Sequence, residues 1–160
     1  MSAAAVLAAA RAKGWRIATA ESCTGGLLAG ALTDIPGSSD VFERGFVTYS
    51  NAAKVEMLRV DPALISAYGA VSEEVAAAMA QGALARSNAT LAVSTTGIAG
   101  PGGSEFKPEG RVCFGIAWPE GVSTQTIDFG APGRAKVRAA AVETALRLLA
   151  IALDQTAPNS

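Results

Sequence analysis

The stretch RIATAESCTGGLLAGALT, residues 16–33, decides how the rest of the chain is read. Arg16–Ala20 is a short run with β-branched members, and it stops at the polar, glycine-bearing segment Glu21–Ser22–Cys23–Thr24–Gly25–Gly26. Leu27–Thr33 then reads as a helix, closed by the turn material Asp34–Ile35–Pro36–Gly37–Ser38–Ser39. A strand passing through a glycine turn into a helix is a building unit of layered α/β folds. Upstream, residues 3–13 carry helical periodicity. Downstream, Phe42–Tyr49 suits a strand, since Phe46, Val47, Thr48 and Tyr49 all have high β-propensity.

Ser50–Asn51 offers an N-cap for a short helix through about Arg59, and Asp61–Pro62 opens another. Ser72–Glu73–Glu74 caps a helix to about Ser87, with its acidic residues in the favourable first turn. Leu91–Thr95 is a strand running into the glycine-rich Gly97–Gly103, and Arg111–Trp118 and Ser123–Phe129 are joined at hairpin spacing by Pro119–Glu120–Gly121. Lys136–Leu153 closes the chain as a long helix, with Asp154–Ser160 expected as a frayed tail. Helices interleaved with strands, then a terminal hairpin, predict an α/β fold: a three-layer α/β/α sandwich on a mixed, mostly parallel sheet of about five strands. Neither a repeat nor an interdomain linker is visible, and 160 residues fit one domain over 1–160.

Composition narrows the chemistry. Half of the residues are apolar and 17% are charged, enough for one sizeable core. Thirteen basic and 14 acidic residues leave a net charge of -1, with no basic excess to neutralise a nucleic-acid backbone. There is no histidine, so Ser-His-Asp triads, Cys-His dyads and histidine-ligated metal sites are all impossible. Two cysteines, Cys23 and Cys113, build neither a disulfide framework nor a four-thiolate site and read as small buried residues. The start of the chain is apolar only to Ala10, lacks a basic leader, and reads as an amphipathic helix rather than a signal peptide. No run reaches the ~18 apolar residues of a membrane span, so the expectation is a soluble, cytoplasmic protein.

Three segments follow strands: Glu21–Gly26, Tyr49–Lys54 and Thr95–Gly103. If those strands are parallel, all three loops gather at one sheet edge, where α/β folds bind ligands. Ser22 there has helix-terminal N–H groups nearby for an oxyanion, although it is equally an N-cap before an ordinary helix, and the G-x-S-x-G elbow is not met. Without histidine, Lys54 is the attractive base. With Asn51 as N-cap it falls at N3, where the helix dipole favours the neutral amine. Solvated lysine titrates near ~10.4, so burial must contribute too; the alternative is a solvent-exposed lysine.

Tyr49 relays a proton, orients Lys54, or is an edge aromatic. Thr95–Gly103 lacks both the phosphate-loop and the dinucleotide fingerprints, yet its backbone N–H groups could face a phosphate or carbonyl; a structural turn fits as well. Arg134, Lys136 and Arg138 at the start of the last helix meet either a phosphate or solvent. Glu21, Glu43, Glu73 and Glu74 show no metal or glycosidase spacing, and Trp15 and Trp118 read as core or interface.

Taken together, ATAESCTGG at 18–26, IPGSSDVFERGFVTYSNAAK at 35–54, GAVSEEV at 69–75 and TGIAGPGGSEFKP at 96–108 resemble the CinA C-terminal domain family, the nicotinamide-nucleotide amidases, over residues 3 to 153. The resemblance implies hydrolysis of the carboxamide of nicotinamide mononucleotide to nicotinate mononucleotide and ammonia, in pyridine-nucleotide recycling. It implies a Ser/Lys mechanism with no metal and no cofactor: Ser22 the nucleophile, Lys54 the base, Tyr49 assisting. Substrate binding falls to Thr24, Gly25, Gly26, Asn51, Thr96, Gly97, Ile98, Ala99 and Gly100, with Arg134 at the phosphate. It also implies the same three-layer fold and a homo-oligomer, with a dimer as the expected form.

Two departures stand out. GPGGSEFKPEG is one residue shorter than the family's usual loop, and Glu109 stands where Val is typical. The amino-terminal domain of many relatives is not in this sequence, so its pyrophosphatase-type activity is not implied. Competing readings are a non-catalytic nucleotide-binding or regulatory module of the same fold, and an amidase for another carboxamide. A DNA-repair or competence role finds no basic patch to support it.

Overall fold

The computed structural model describes residues 2–104 and 106–155. Five strands form one sheet in the order β2-β1-β3-β4-β5: β1 (Ile17–Glu21), β2 (Phe42–Val47), β3 (Leu91–Gly97), β4 (Arg111–Trp118) and β5 (Gly121–Asp128). β1 pairs in parallel with β2 and β3, while β4 is antiparallel to both β3 and β5. Four strands therefore point one way and β4 alone is reversed. The expected mixed, mostly parallel sheet is present.

Side-chain size sorts the layers. Ile17, Leu91, Val93, Val112, Phe114 and Ile116 face α1 (Ala3–Lys13), α2 (Leu27–Thr33) and α6 (Arg134–Gln155) in the larger core. On the opposite face Ala18, Ala20 and Ala92 meet α3 (Asn51–Leu58) and α5 (Glu73–Ala85), with α4 (Pro62–Tyr68) packed outside. Small residues let α5 approach the sheet closely. The Ser94 hydroxyl donates to the Ala76 carbonyl at 2.6 Å, and a Cβ at Gly115 would collide with that same oxygen.

Element ends differ from expectation where tertiary pairing overrides local propensity. β2 stops at Val47, because the chain turns at Thr48 and Tyr49 toward the cap of α3. That cap is Ser50, whose Oγ accepts from the Ala53 N–H at 3.0 Å, so Lys54 sits at N4 rather than N3. β3 runs on to Gly97 because β4 continues to pair with it there, Gly97 opposite Val112. α6 begins at Arg134 and includes Asp154 and Gln155, which correct the frayed-tail expectation; Thr156–Ser160 lie outside the described residues. No helix among the described residues is long and apolar enough to cross a membrane.

The close approach of α5 gives a stability prediction. Gly115→Ala forces the sheet and α5 apart and lowers unfolding free energy by about 1–3 kcal/mol, measured as a shift of the urea midpoint at unchanged slope.

Candidate active site

The register Glu21↔Val47 and Glu21↔Thr95 brings the carboxyl ends of β1, β2 and β3 level. The three following loops thus share one edge, as the topology of a parallel sheet requires. Glu21 is fully buried, and its charge is met by three donors. The Thr24 hydroxyl reaches Oε1 at 2.6 Å, the Leu28 N–H reaches Oε1 at 2.9 Å, and the Ala29 N–H reaches Oε2 at 3.0 Å. A carboxylate from the strand end thereby caps the helix that follows it. Since Thr24 spends its proton on Glu21, the Thr95 hydroxyl, 2.8 Å away, donates to Thr24 Oγ1.

This cap corrects part of the expected substrate site. The amino end of α2 is occupied by the protein's own carboxylate. Thr24 is fully buried beneath the turn, Gly25 lies against Arg138, and Gly26 is the left-handed N-cap of α2. None of the three lines the cavity above them.

Ser22 is held at the surface of that turn. Its N–H donates to the Thr95 carbonyl at 2.9 Å, and its Oγ lies 3.1 Å from Lys54 Nζ. Lys54 is 1% exposed, and Nζ also donates to the Thr48 carbonyl at 3.0 Å. The lysine is therefore a buried side chain aimed at the serine, not a solvated one. Next door, burial pushes the Cys23 thiol up to about 12, assisted by the charge of Glu21 and opposed by Lys54 and Arg138. It stays protonated at neutral pH.

A cavity of about 330 Å³ opens over this pair. Its lining brings together Ser22, Tyr49, Asn51, Lys54, the Thr96–Gly100 segment and Arg134 from the expected residues. It adds Pro101–Gly103, the rest of the glycine-rich loop already read as a possible binding segment, and Cys23, Ala70, Val71 and Ser104, which sequence reasoning did not place at the site. Among the described residues no carboxylate lines it, and the charged side chains that do are Lys54 and Arg134. The Tyr49 hydroxyl accepts from Arg134 Nη2 at 2.8 Å, while Nη1 donates to the Gly100 carbonyl at 2.8 Å. Tyr49 is thus tied to Arg134 rather than to Lys54, whose orientation comes from the Thr48 carbonyl.

The glycine-rich wall is braced from behind. Thr96 Oγ1 donates to the Ala70 carbonyl at 2.8 Å, and the Gly102 N–H donates to Glu109 Oε1 at 2.6 Å. Lys107 Nζ donates to the carbonyls of Tyr68 and Val71. Gly100 has φ +91° and a Cβ there would stand 2.7 Å from Glu109 Oε2, so glycine is required at that point. Arg138, half-buried, donates to the carbonyls of Cys23 and Thr24. Among the described residues no cluster of three or more His, Cys, Asp or Glu side chains could hold a metal.

Fold and site define a three-layer α/β protein with a buried serine–lysine pair at the carboxyl edge of its sheet. The chain belongs to the CinA C-terminal domain family, whose pattern matches residues 1–153. A relative from Enterobacter agglomerans, named nicotinamide-nucleotide amidohydrolase PncC, is 54% identical over 145 residues, 88% of this chain and 88% of its own. A CinA-like protein of Chlorobium phaeobacteroides is 56% identical over 142 residues, covering 86% of this chain and 34% of its own length. The chain therefore spans about a third of that longer relative. The crystal structure of competence/damage inducible protein CihA from Agrobacterium tumefaciens superposes at TM-score 0.91 with 50% identity, over 96% of this chain and 93% of that one. Competence damage-inducible protein A from Klebsiella pneumoniae gives 0.94 at 37% identity, over 97% and 96%.

Removing the Glu21 cap strands two buried N–H groups and a hydroxyl. Glu21→Ala is expected to cost about 2–4 kcal/mol by urea unfolding, and Glu21→Gln, which still accepts one N–H, distinctly less. Equal losses for the two would show that the hydrogen bonds are not what matters.

Proposed function

We propose that this chain hydrolyses the carboxamide of nicotinamide mononucleotide to nicotinate mononucleotide and ammonia, in pyridine-nucleotide recycling, through a Ser22–Lys54 mechanism. The observation that carries this reading is the 3.1 Å approach of buried Lys54 Nζ to Ser22 Oγ on the floor of the cavity. Kinship with the Enterobacter amidohydrolase supports the substrate, and Arg134 in the cavity wall suits a phosphorylated one.

The steps follow from the geometry. Burial and a place in the first turns of α3 both favour the neutral amine. Nζ donates to the Thr48 carbonyl and lies 3.1 Å from Ser22 Oγ, so the neutral amine can turn its lone pair to the serine hydroxyl. Lys54 takes the Oγ proton as the Oγ–carbon bond forms at the amide carbonyl. When the tetrahedral intermediate collapses, the carbon–nitrogen bond breaks and Lys54 returns the proton to nitrogen, releasing ammonia. Water then attacks the Ser22 ester, giving its proton to Lys54, which restores the serine hydroxyl as the carboxylate leaves. Cys23 stays a thiol throughout.

Arg134 uses two of its five N–H donors on Gly100 and Tyr49, which leaves donors to meet the substrate phosphate. Tyr49 holds that arginine, and Asn51 together with Thr96–Gly100 walls the ring and ribose. A non-catalytic nucleotide-binding module would need this cavity but would have no use for the Ser22–Lys54 contact, and so the contact favours the enzyme.

Ammonia release from nicotinamide mononucleotide tests the proposal. Wild type is expected to turn over, and Ser22→Ala and Lys54→Met each to lose at least about a thousandfold in kcat with the fold retained. Tight binding by wild type with no ammonia would leave only the binding module. Activity surviving in Ser22→Ala would mean another nucleophile. Separately, Arg134→Ala should raise KM for the mononucleotide about tenfold while leaving the weaker use of the phosphate-free nucleoside unchanged. A matching loss on both substrates would take the phosphate contact away from Arg134.

A further inference from the structure

The last helix reaches back to the nucleophile turn. From the amino-terminal part of α6, Arg138 Nε donates to the Cys23 carbonyl at 3.1 Å and Nη2 lies 3.4 Å from the Thr24 carbonyl. The helix dipole gives no reason for a cation near this end. Gly25 is shaped for it: φ is +59°, and a Cβ there would stand 3.2 Å from Arg138 Nη2. Arg138 is half-buried and does not line the cavity, so the two carbonyls it holds face away from the reacting atoms.

Carbonyl direction matters to acyl transfer. A carbonyl dipole aimed at a developing oxyanion repels it, whereas an N–H stabilises it. The turn around Ser22 has few main-chain groups left to offer. The Ser22 N–H is spent on Thr95, the Ser22 carbonyl accepts from the Gly25 N–H at 3.1 Å, the Cys23 carbonyl is on Arg138, and the Thr24 carbonyl accepts from the Leu27 N–H at 3.0 Å as well as from Arg138. The N–H groups that open α2 are no use either, being taken by Glu21 and by turn carbonyls. Of the residues beside Ser22 in the turn, Cys23 lines the cavity, and its N–H also reaches its own thiol.

We propose that Arg138 is a positioning residue for the chemistry of Ser22. By holding the Cys23 carbonyl, and bracing that of Thr24 beside the Leu27 N–H, it keeps the carbonyl dipoles of the turn off the oxyanion that forms at Ser22. The inference rests on the amidase reading for its substrate, but the turn geometry bears equally on any tetrahedral adduct formed at Ser22 Oγ.

Two readouts separate these levels: phosphonylation of Ser22 by a fluorophosphonate, followed by intact mass, and ammonia release from nicotinamide mononucleotide. In Arg138→Ala, both rates are expected to fall about tenfold to a hundredfold, with KM within about threefold of wild type. Added guanidinium restores part of the loss, and Arg138→Lys falls between. An unchanged phosphonylation rate in Arg138→Ala overturns the proposal, as does a loss that sits entirely in KM. Should Arg138→Ala not fold, Arg138→Lys and Arg138→Gln are read by the same criteria. Wild type that is phosphonylated yet releases no ammonia sinks the amidase reading, while the phosphonylation ratio still decides the role of Arg138.

Discussion

A carboxylate with no access to water, Glu21 at the end of β1, is the group on which the rest of the site depends. An isolated buried charge is costly, and here it is stabilised by two N–H groups of α2 and the Thr24 hydroxyl. The same three bonds satisfy donors that any helix start leaves open. Through Thr24 the network extends to Thr95 and so to the neighbouring strand. The segment between strand and helix is thereby fixed at both ends, and it carries Ser22 with its Oγ 3.1 Å from Lys54 Nζ. The charge of Glu21 itself lies below the turn and outside the cavity lining.

Burial then separates two neighbouring nucleophiles. Ser22 and Cys23 stand side by side, and in water the thiol would be the more reactive. Here the apolar surroundings and the charge of Glu21 raise the thiol to about 12, while Lys54 is directed at the serine. In the proposed reaction the environment, and not intrinsic nucleophilicity, selects the oxygen. The proposed use of lysine in place of histidine follows the same logic: an amine can serve as a base once its charged form is taken out of water, and Lys54 is 1% exposed.

Much of this was legible in the chain. Alternation of strands and helices predicted the layers, and the rule that parallel strands gather their carboxyl-end loops placed Ser22, Tyr49, Lys54 and Thr96–Gly100 around one site. What local patterns missed were contacts between distant residues. Glu21 looks like an uncommitted carboxylate until α2 folds back onto it, and so Thr24, Gly25 and Gly26 were assigned to substrate when they form the support below it. Ser50 and Asn51 are both good caps, and only the observed bond to the Ala53 N–H chooses between them. Arg138 is 115 residues from the carbonyl it holds, a separation at which spacing carries no information. Glu109, notable in the sequence as a departure from the family, is accounted for by the Gly102 N–H that it accepts.

The central claim is that the substrate's acyl group passes through an ester on Ser22. The most direct measurement is the partition of product between water and added hydroxylamine, for two substrates that differ only in leaving group: the carboxamide of nicotinamide mononucleotide and the corresponding methyl ester. A shared acyl-enzyme predicts one ratio of carboxylate to hydroxamate for both substrates, after the uncatalysed reaction is subtracted. A ratio that changes with the leaving group would mean that water attacks the substrate directly and that Ser22 never carries the acyl group.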